Sequence, residues 1–142
     1  MDNIGQIGED FVAEWLKQKG YFILAQRWRS PGGEIDLISR NTKVLAFTEV
    51  KTRSPKNWDD NGLLAVDYRK QIRLVQGATH FLAKFPKLTE LNCRFDVALV
   101  RVDPHDDLDK IENNQTFNIK QAVFFQKRKL TLLDYLESAF ES

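Results

Sequence analysis

The chain has 142 residues, 42% hydrophobic and 29% charged, which suits a single packed domain over residues 1–142. Its one cysteine, Cys93, excludes an internal disulfide framework or a Cys-rich zinc site, and no apolar run is long enough to span a bilayer. The net charge of +1 hides two basic segments, four bases and no acid over residues 15–33 and six bases against three acids over 51–73, beside an acidic one, five acids and one base over 103–112.

The first residues, MDNIGQIGED, have neither the basic nor the apolar region of a secretion signal, so a cytoplasmic protein is expected. Ile4, Ile7, Phe11, Trp15 and Leu16 recur at helical spacing and Gly20 is a stop, which predicts an amphipathic helix over 3–19. YFILAQRW (21–28) reads as a first strand and SPGG (30–33) as a turn. EIDLIS (34–39) reads as a second strand, and residues 44–51 as a third. These short spacings favour an antiparallel meander. Residues 54–62 are a polar loop. A second helix is expected over 66–84, with Ile72, Val75, Thr79 and Leu82 facing inward and Pro86 ending it. CRFDVALVRV (93–102) predicts a fourth strand, 103–112 an acidic loop, and 117–126 a fifth strand. Residues 130–140 read as a last helix, with Thr131 and Asp134 as a capping box. The order αβββαββα implies a mixed α/β or α+β domain, with helices covering about five strands.

The third strand ends unexpectedly. VLAF (44–47) is apolar, and TEVKTR (48–53) follows with an acid and a base one residue apart. Glu49 and Lys51 share a strand face, roughly 6.5–7 Å apart. Glu34, Asp36 and Ile38 share a face of the second strand if that strand is regular. Pairing that brings Asp36 near Glu49 converges two carboxylates and an ammonium. Two carboxylates in close contact raise each other's pKa. A hard divalent cation such as Mg²⁺ relieves that conflict and takes oxygen ligands. Lys51 is then placed to orient a water or to stabilise charge on a phosphate. Those are the parts of phosphodiester hydrolysis. The plain alternative is a surface ion-pair cluster, but such clusters contribute only about 0–1 kcal/mol. That is a weak reason to place charges at the end of an apolar strand.

An acid, a turn and then E-x-K resembles the core of the PD-(D/E)xK nuclease superfamily. GEDFVAEWLKQKGYFIL (8–24), GEIDLI (33–38), FTEVKTR (47–53), RKQIRL (69–74) and RFDVALV (94–100) are more narrowly similar to the uncharacterised bacterial YraN-like family. That family is itself similar to archaeal Holliday junction resolvases. The resemblance implies a restriction-endonuclease-like core and a metal-dependent endodeoxyribonuclease. It implies Asp36 and Glu49 as ligands of a divalent cation, Mg²⁺ or Mn²⁺, and the backbone carbonyl of Val50 between Glu49 and Lys51 is a candidate further ligand. It also implies Lys51 as the catalytic lysine and Glu9 as the helix acid that completes the site. Its substrate would be DNA, branched or nicked, and its resolvase-like relatives act as symmetric homodimers. Ile35 stands where the wider superfamily has proline, Thr48 where an apolar residue is usual, and 103–112 extends a hairpin.

Around that core, Arg53, Lys70 and Arg73 are candidates for backbone phosphates. An exposed helix face accounts for the last two equally well. Trp28 is expected in the core, while Trp58 is open between packing and base stacking. Arg94 and Asp96 are expected to be a structural pair, His80 and His105 to lie on solvent or helix faces, and Cys93 to be small and buried. Glu34 competes with Asp36, and spacing does not choose between them. A reading of a different class is a catalytically silent nucleic-acid-binding or protein-interaction module on the same fold.

Overall fold

Asn3 opens the first helix: its side chain accepts from the Gln6 amide at 3.1 Å. The computed structural model describes residues 3–55, 67–103 and 116–140. Helix α1, Ile4–Gln18, buries Ile7, Phe11, Val12, Trp15 and Leu16 along one face. It ends at Gly20, whose φ of +93° suits the left-handed turn. Three antiparallel strands follow: β1, Phe22–Ser30; β2, Gly33–Arg40; β3, Val44–Arg53. Helix α2, Tyr68–Lys84, starts on Asp67, which caps the Lys70 amide. A turn of 3-10 helix, Pro86–Glu90, leads into β4, Asn92–Asp103, parallel to β3. β5, Ala122–Phe125, and β6, Arg128–Phe140, complete a six-stranded mixed sheet in the order β1-β2-β3-β4-β6-β5.

Helices cover both faces. Phe11 and Leu16 of α1 cluster with Ala98, Val100, Leu130 and Leu132 of the sheet. Leu74 and Phe81 of α2 cluster with Ile38, Leu45, Phe47 and Leu99 on the other face. Covered on both sides, the central strands read as almost unbroken apolar runs. Among the described residues no helix is long and apolar enough to cross a membrane.

Four expectations are corrected. Residues 130–140 form β6, not a helix. Leu130 and Leu132 point to the α1 core while Leu133, Leu136 and Phe140 point to the α2 core. The pattern that looks helical is a two-faced strand with ladder irregularities opposite β4. Thr131 and Asp134 are therefore strand residues, not a capping box. The sheet has six strands because β5 and β6 are joined by Gln126 and Lys127, both at positive φ. That is the signature of a type I′ hairpin turn without its usual Asn or Gly. Third, the buried face of α2 is Leu74, Gly77, Ala78 and Phe81, whereas Ile72 is exposed. Gly77 admits a close approach to β2. A Cβ on Gly33 would lie 2.6 Å from the Gly77 Cα, so the helix turns its glycine, not its bulkier residues, to the strand. Cys93 is exposed rather than buried. The expected polar loop beyond residue 55 with Trp58, the helix start at Val66, and the acidic segment beyond Asp103 with His105 lie outside the described residues.

Candidate functional site

The site begins where β2 loses its regular pleat. Leu37 joins the core under α1, whereas Ile35 and Ile38 join the core under α2. Strict alternation would put Ile35 and Leu37 on one face, so the break falls at Asp36. The expected shared face of Glu34, Asp36 and Ile38 is therefore lost. The ladder to β3 starts only at Leu37–Thr48. Beyond it, Asp36 Oδ2 accepts a 2.8 Å hydrogen bond from the Val50 amide. The N–H and C=O of a strand residue leave by the same edge, so the Val50 carbonyl faces this opening too.

Glu49 is 6% exposed on β3. The ammonium on it is that of Lys70, 3.4 Å from Oε1, which also donates to Glu34 at 2.8 Å. Lys70 stands in the first turn of α2, where the helix dipole disfavours a cation, and these two carboxylates compensate. Glu34 gathers Arg29 at 3.1 Å and Arg73 at 2.9 Å as well. Its carboxyl is held below the usual range, first by the Lys70 hydrogen bond. Burial works against the Lys70 charge, but Glu34, Glu49 and Asp36 hold its pKa above the ordinary value. The two competing acids thus differ in setting: Glu34 is neutralised by three cations, while Asp36 faces the opening and the Val50 amide. Lys70 and Arg73, candidates for phosphates or for a plain helix face, are engaged by Glu34.

Glu9 arrives from α1. Its neighbour Gly8 lets the helix lie directly on β3, since a Cβ there would collide with the Thr52 hydroxyl. Asp36 stands near enough to both Glu9 and Glu49 for its charge to bear on each. Arg27 Nε lies 3.4 Å from Glu9 Oε1. Burial, then the Asp36 charge, pushes Glu9 up to about 7 against the pull of Arg27. The same two causes push Glu49 up to about 8 against Lys70. Asp36 is also raised, by burial above all, although the Val50 amide opposes this.

Three crowded acids cannot all ionise without added positive charge. Buried Glu9 Oε1 and Glu49 Oε2 have no hydrogen-bond partner, so each keeps an acceptor site to offer. Hard carboxylate oxygens of this kind suit Mg²⁺ or Mn²⁺. Among the described residues, no three acid, His or Cys side chains stand close enough together, as they are placed, to hold a metal ion. A cleft of about 150 Å³ opens beside the acids, between the start of α1 and the β1–β2 hairpin, and Glu9, Arg27, Arg29, Glu34 and Asp36 line it.

The remaining candidates fall around this centre. Lys51 is half-buried two residues beyond Glu49, and Arg53 is exposed with Nη1 on the Thr52 carbonyl at 2.8 Å. Arg94 and Asp96 are the expected structural pair. Fully buried Asp96 accepts from Arg94 Nε at 2.9 Å, Tyr135 Oη at 2.7 Å and the Ser138 amide at 3.0 Å. Thr48 shares a 2.9 Å hydrogen bond with Tyr135, which explains a hydroxyl at that buried position. Trp28 packs edge-on against Phe81, and His80 Nδ1 meets Ser30 Oγ at 2.8 Å on the helix face. Sequence reasoning passed over Arg27 and the bond between Lys70 and the acids. A base in the first turn of a helix was the available signal for Lys70.

The chain matches the model of the uncharacterised protein family UPF0102 over residues 8–100. It is 49% identical to UPF0102 protein sll0189 of Synechocystis sp., across 99% of both chains. It is 50% identical to UPF0102 protein alr1796 of Nostoc sp., across 98% of this chain and 94% of the relative. A UPF0102 protein of Synechococcus sp. is 45% identical across 99% and 92%. The chain belongs to this family, as the YraN-like motifs implied.

Proposed function

We propose that this member of the UPF0102 family is a divalent-metal-dependent endonuclease on a restriction-endonuclease-like, PD-(D/E)xK core, hydrolysing DNA phosphodiesters with branched or nicked DNA as its substrate. The observation that carries this reading is the meeting of Glu9, Asp36 and Glu49 at a break in the sheet, with two buried carboxylate oxygens lacking partners. Asp36 and Glu49 would hold Mg²⁺ or Mn²⁺, with the Val50 carbonyl and Glu9 beside them. The bound ion would supply a Lewis acid for water activation and for charge on the phosphate. Lys51, on the Glu49 face of β3, would orient the attacking water and stabilise charge on the phosphate oxygens. Arg53 would hold a flanking phosphate. A cytoplasmic location and a symmetric dimer belong to the same reading.

One observation favours a second reading, a silent DNA-binding module: Lys70 already places an ammonium 3.4 Å from Glu49. Cleavage of single-stranded, duplex, nicked, flapped and four-way-junction DNA, in Mg²⁺ and in Mn²⁺, separates the two. Metal-dependent cutting that vanishes in an identically purified Lys51→Ala protein supports the nuclease. Salt-sensitive DNA binding without cutting supports the module.

A further inference from the structure

Arg27 has no role in the reading above, yet its backbone is the most unusual near the acids. It lies in β1 at φ +52°, in the left-handed region, and is neither Gly nor Asn. The β1–β2 ladder pairs Gln26 with Leu37 and Trp28 with Ile35, and Arg27 and Asp36 drop out between them. Backbone strain of this kind gathers where a side chain must be aimed. Here the guanidinium is aimed into the cleft beside Glu9 and Asp36, with the side chain 36% exposed.

Among the described residues, the polar partner of Arg27 is Glu9 alone, through Nε at 3.4 Å. An arginine held as counter-ion to a carboxylate frequently makes a short contact of about 2.7–2.9 Å through its guanidinium fork. Arg94 comes close to that with Asp96, and Arg29 and Arg73 each hold Glu34 at near 3 Å. Arg27 keeps Nη1 and Nη2 for something else. The acids lining the cleft repel an anion, so a phosphate can enter only with a cation interposed. A cleft of about 150 Å³ has the volume of several waters, which is room for a phosphate group.

We propose that Arg27 is the residue that seats a nucleic-acid backbone phosphate in this cleft, through its free guanidinium edge, while Nε stays on Glu9. The proposal rests on the nucleic-acid reading of the same site. It differs from the candidate phosphate contacts of Lys70 and Arg73, each of which is already ion-paired with Glu34.

The test is anisotropy titration of labelled duplex and four-way-junction DNA in EDTA over a KCl series, with thermal melts of each protein. Wild type, Arg27→Lys, Arg27→Gln and Arg27→Gly are compared. Arg27→Gln should bind about tenfold more weakly, and its log–log salt slope should fall by about one. Arg27→Lys should lie between, since an ammonium keeps the charge and loses the fork. Arg27→Gly is the diagnostic variant: glycine accepts positive φ freely, so it should melt at or above wild type while binding like Arg27→Gln. Wild-type affinity and slope in Arg27→Gln and Arg27→Gly would overturn the Arg27 assignment and leave the nuclease reading standing. So would melting of both far below wild type, which makes Arg27 a structural counter-ion. Wild-type protein that binds neither DNA overturns the nucleic-acid reading and this proposal with it.

Discussion

The Val50 amide donates a 2.8 Å hydrogen bond to the Asp36 carboxylate. A side chain of β2 thereby takes a main-chain donor of β3 where the ladder between them has stopped. The bond fixes Asp36 beside the residue that lies between Glu49 and Lys51. It also stands against the burial that would otherwise favour the protonated acid.

This bond separates charge from acceptor geometry. Asp36→Asn keeps an oxygen for Val50 and removes the buried charge, so it should melt within a few degrees of wild type at pH 8. Asp36→Ala strands the amide and should cost about 1–3 kcal/mol. Both should lose Mn²⁺ binding in calorimetry. Undiminished Mn²⁺ heat with Asp36→Asn would remove Asp36 from the ligand set.

Stability should fall as pH rises toward mildly alkaline values. Glu9 and Glu49 titrate near 7 and 8 in the folded chain against an ordinary 4.5. Between about pH 4.5 and 8 the folded chain therefore holds protons that the unfolded chain has released. Their stabilisation is complete below 4.5 and lost as pH climbs through 7 and 8. Glu34, with its lowered pKa, acts in the opposite sense and only at acid pH. The melting temperature without divalent cations should drop by about 5 °C or more from pH 5 to 8.5. Glu49→Gln should flatten that drop. A wild-type profile that rises across this range would contradict the buried-acid account.

Glycine packing sets the height of α2 over the sheet. A Cβ on Gly33 would meet the Gly77 backbone, which cannot rotate aside as a side chain can. Gly33→Ala should lower stability by about 1–3 kcal/mol, seen as a lower urea midpoint. An unchanged midpoint would mean that the helix shifts freely.

The Asp96 network should be structural. Asp96→Ala leaves Arg94 without its main partner and should cost about 3–5 kcal/mol. Tyr135→Phe removes one donor and should cost about 1–2 kcal/mol. Tyr135→Phe should titrate with Mn²⁺ as wild type does. A large loss of Mn²⁺ affinity in that variant would tie the network to the candidate site.

Much of the fold was legible because local pattern and tertiary role agreed. Helical spacing located α1, apart from Ile4, which is exposed. Turn chemistry located the β1–β2 hairpin, and apolar runs located β3 and β4. The last element, β6, reads as a helix in sequence because Leu130, Leu133, Leu136 and Phe140 fit a helical stripe as well as they fit a strand buried on both faces. The hairpin turn at Gln126 and Lys127 carries no residue that announces positive φ. The inner face of α2 was misjudged because a glycine pair, not the largest apolar residues, governs its approach to β2.

The sequence alone determined that acids and bases end an apolar strand, which acids lie on β2 and β3, and which family the motifs resemble. These follow from residue type and from spacing along one chain. The tertiary structure decided which charges meet. Asp36 turns into a gap because its pleat breaks, Glu34 is claimed by three cations from β1 and α2, and Lys70 bridges to Glu49. Arg27 reaches the acids only through a backbone angle that its own side chain disfavours. Interactions between charges depend on distance and burial, and both are set by elements far apart in the chain.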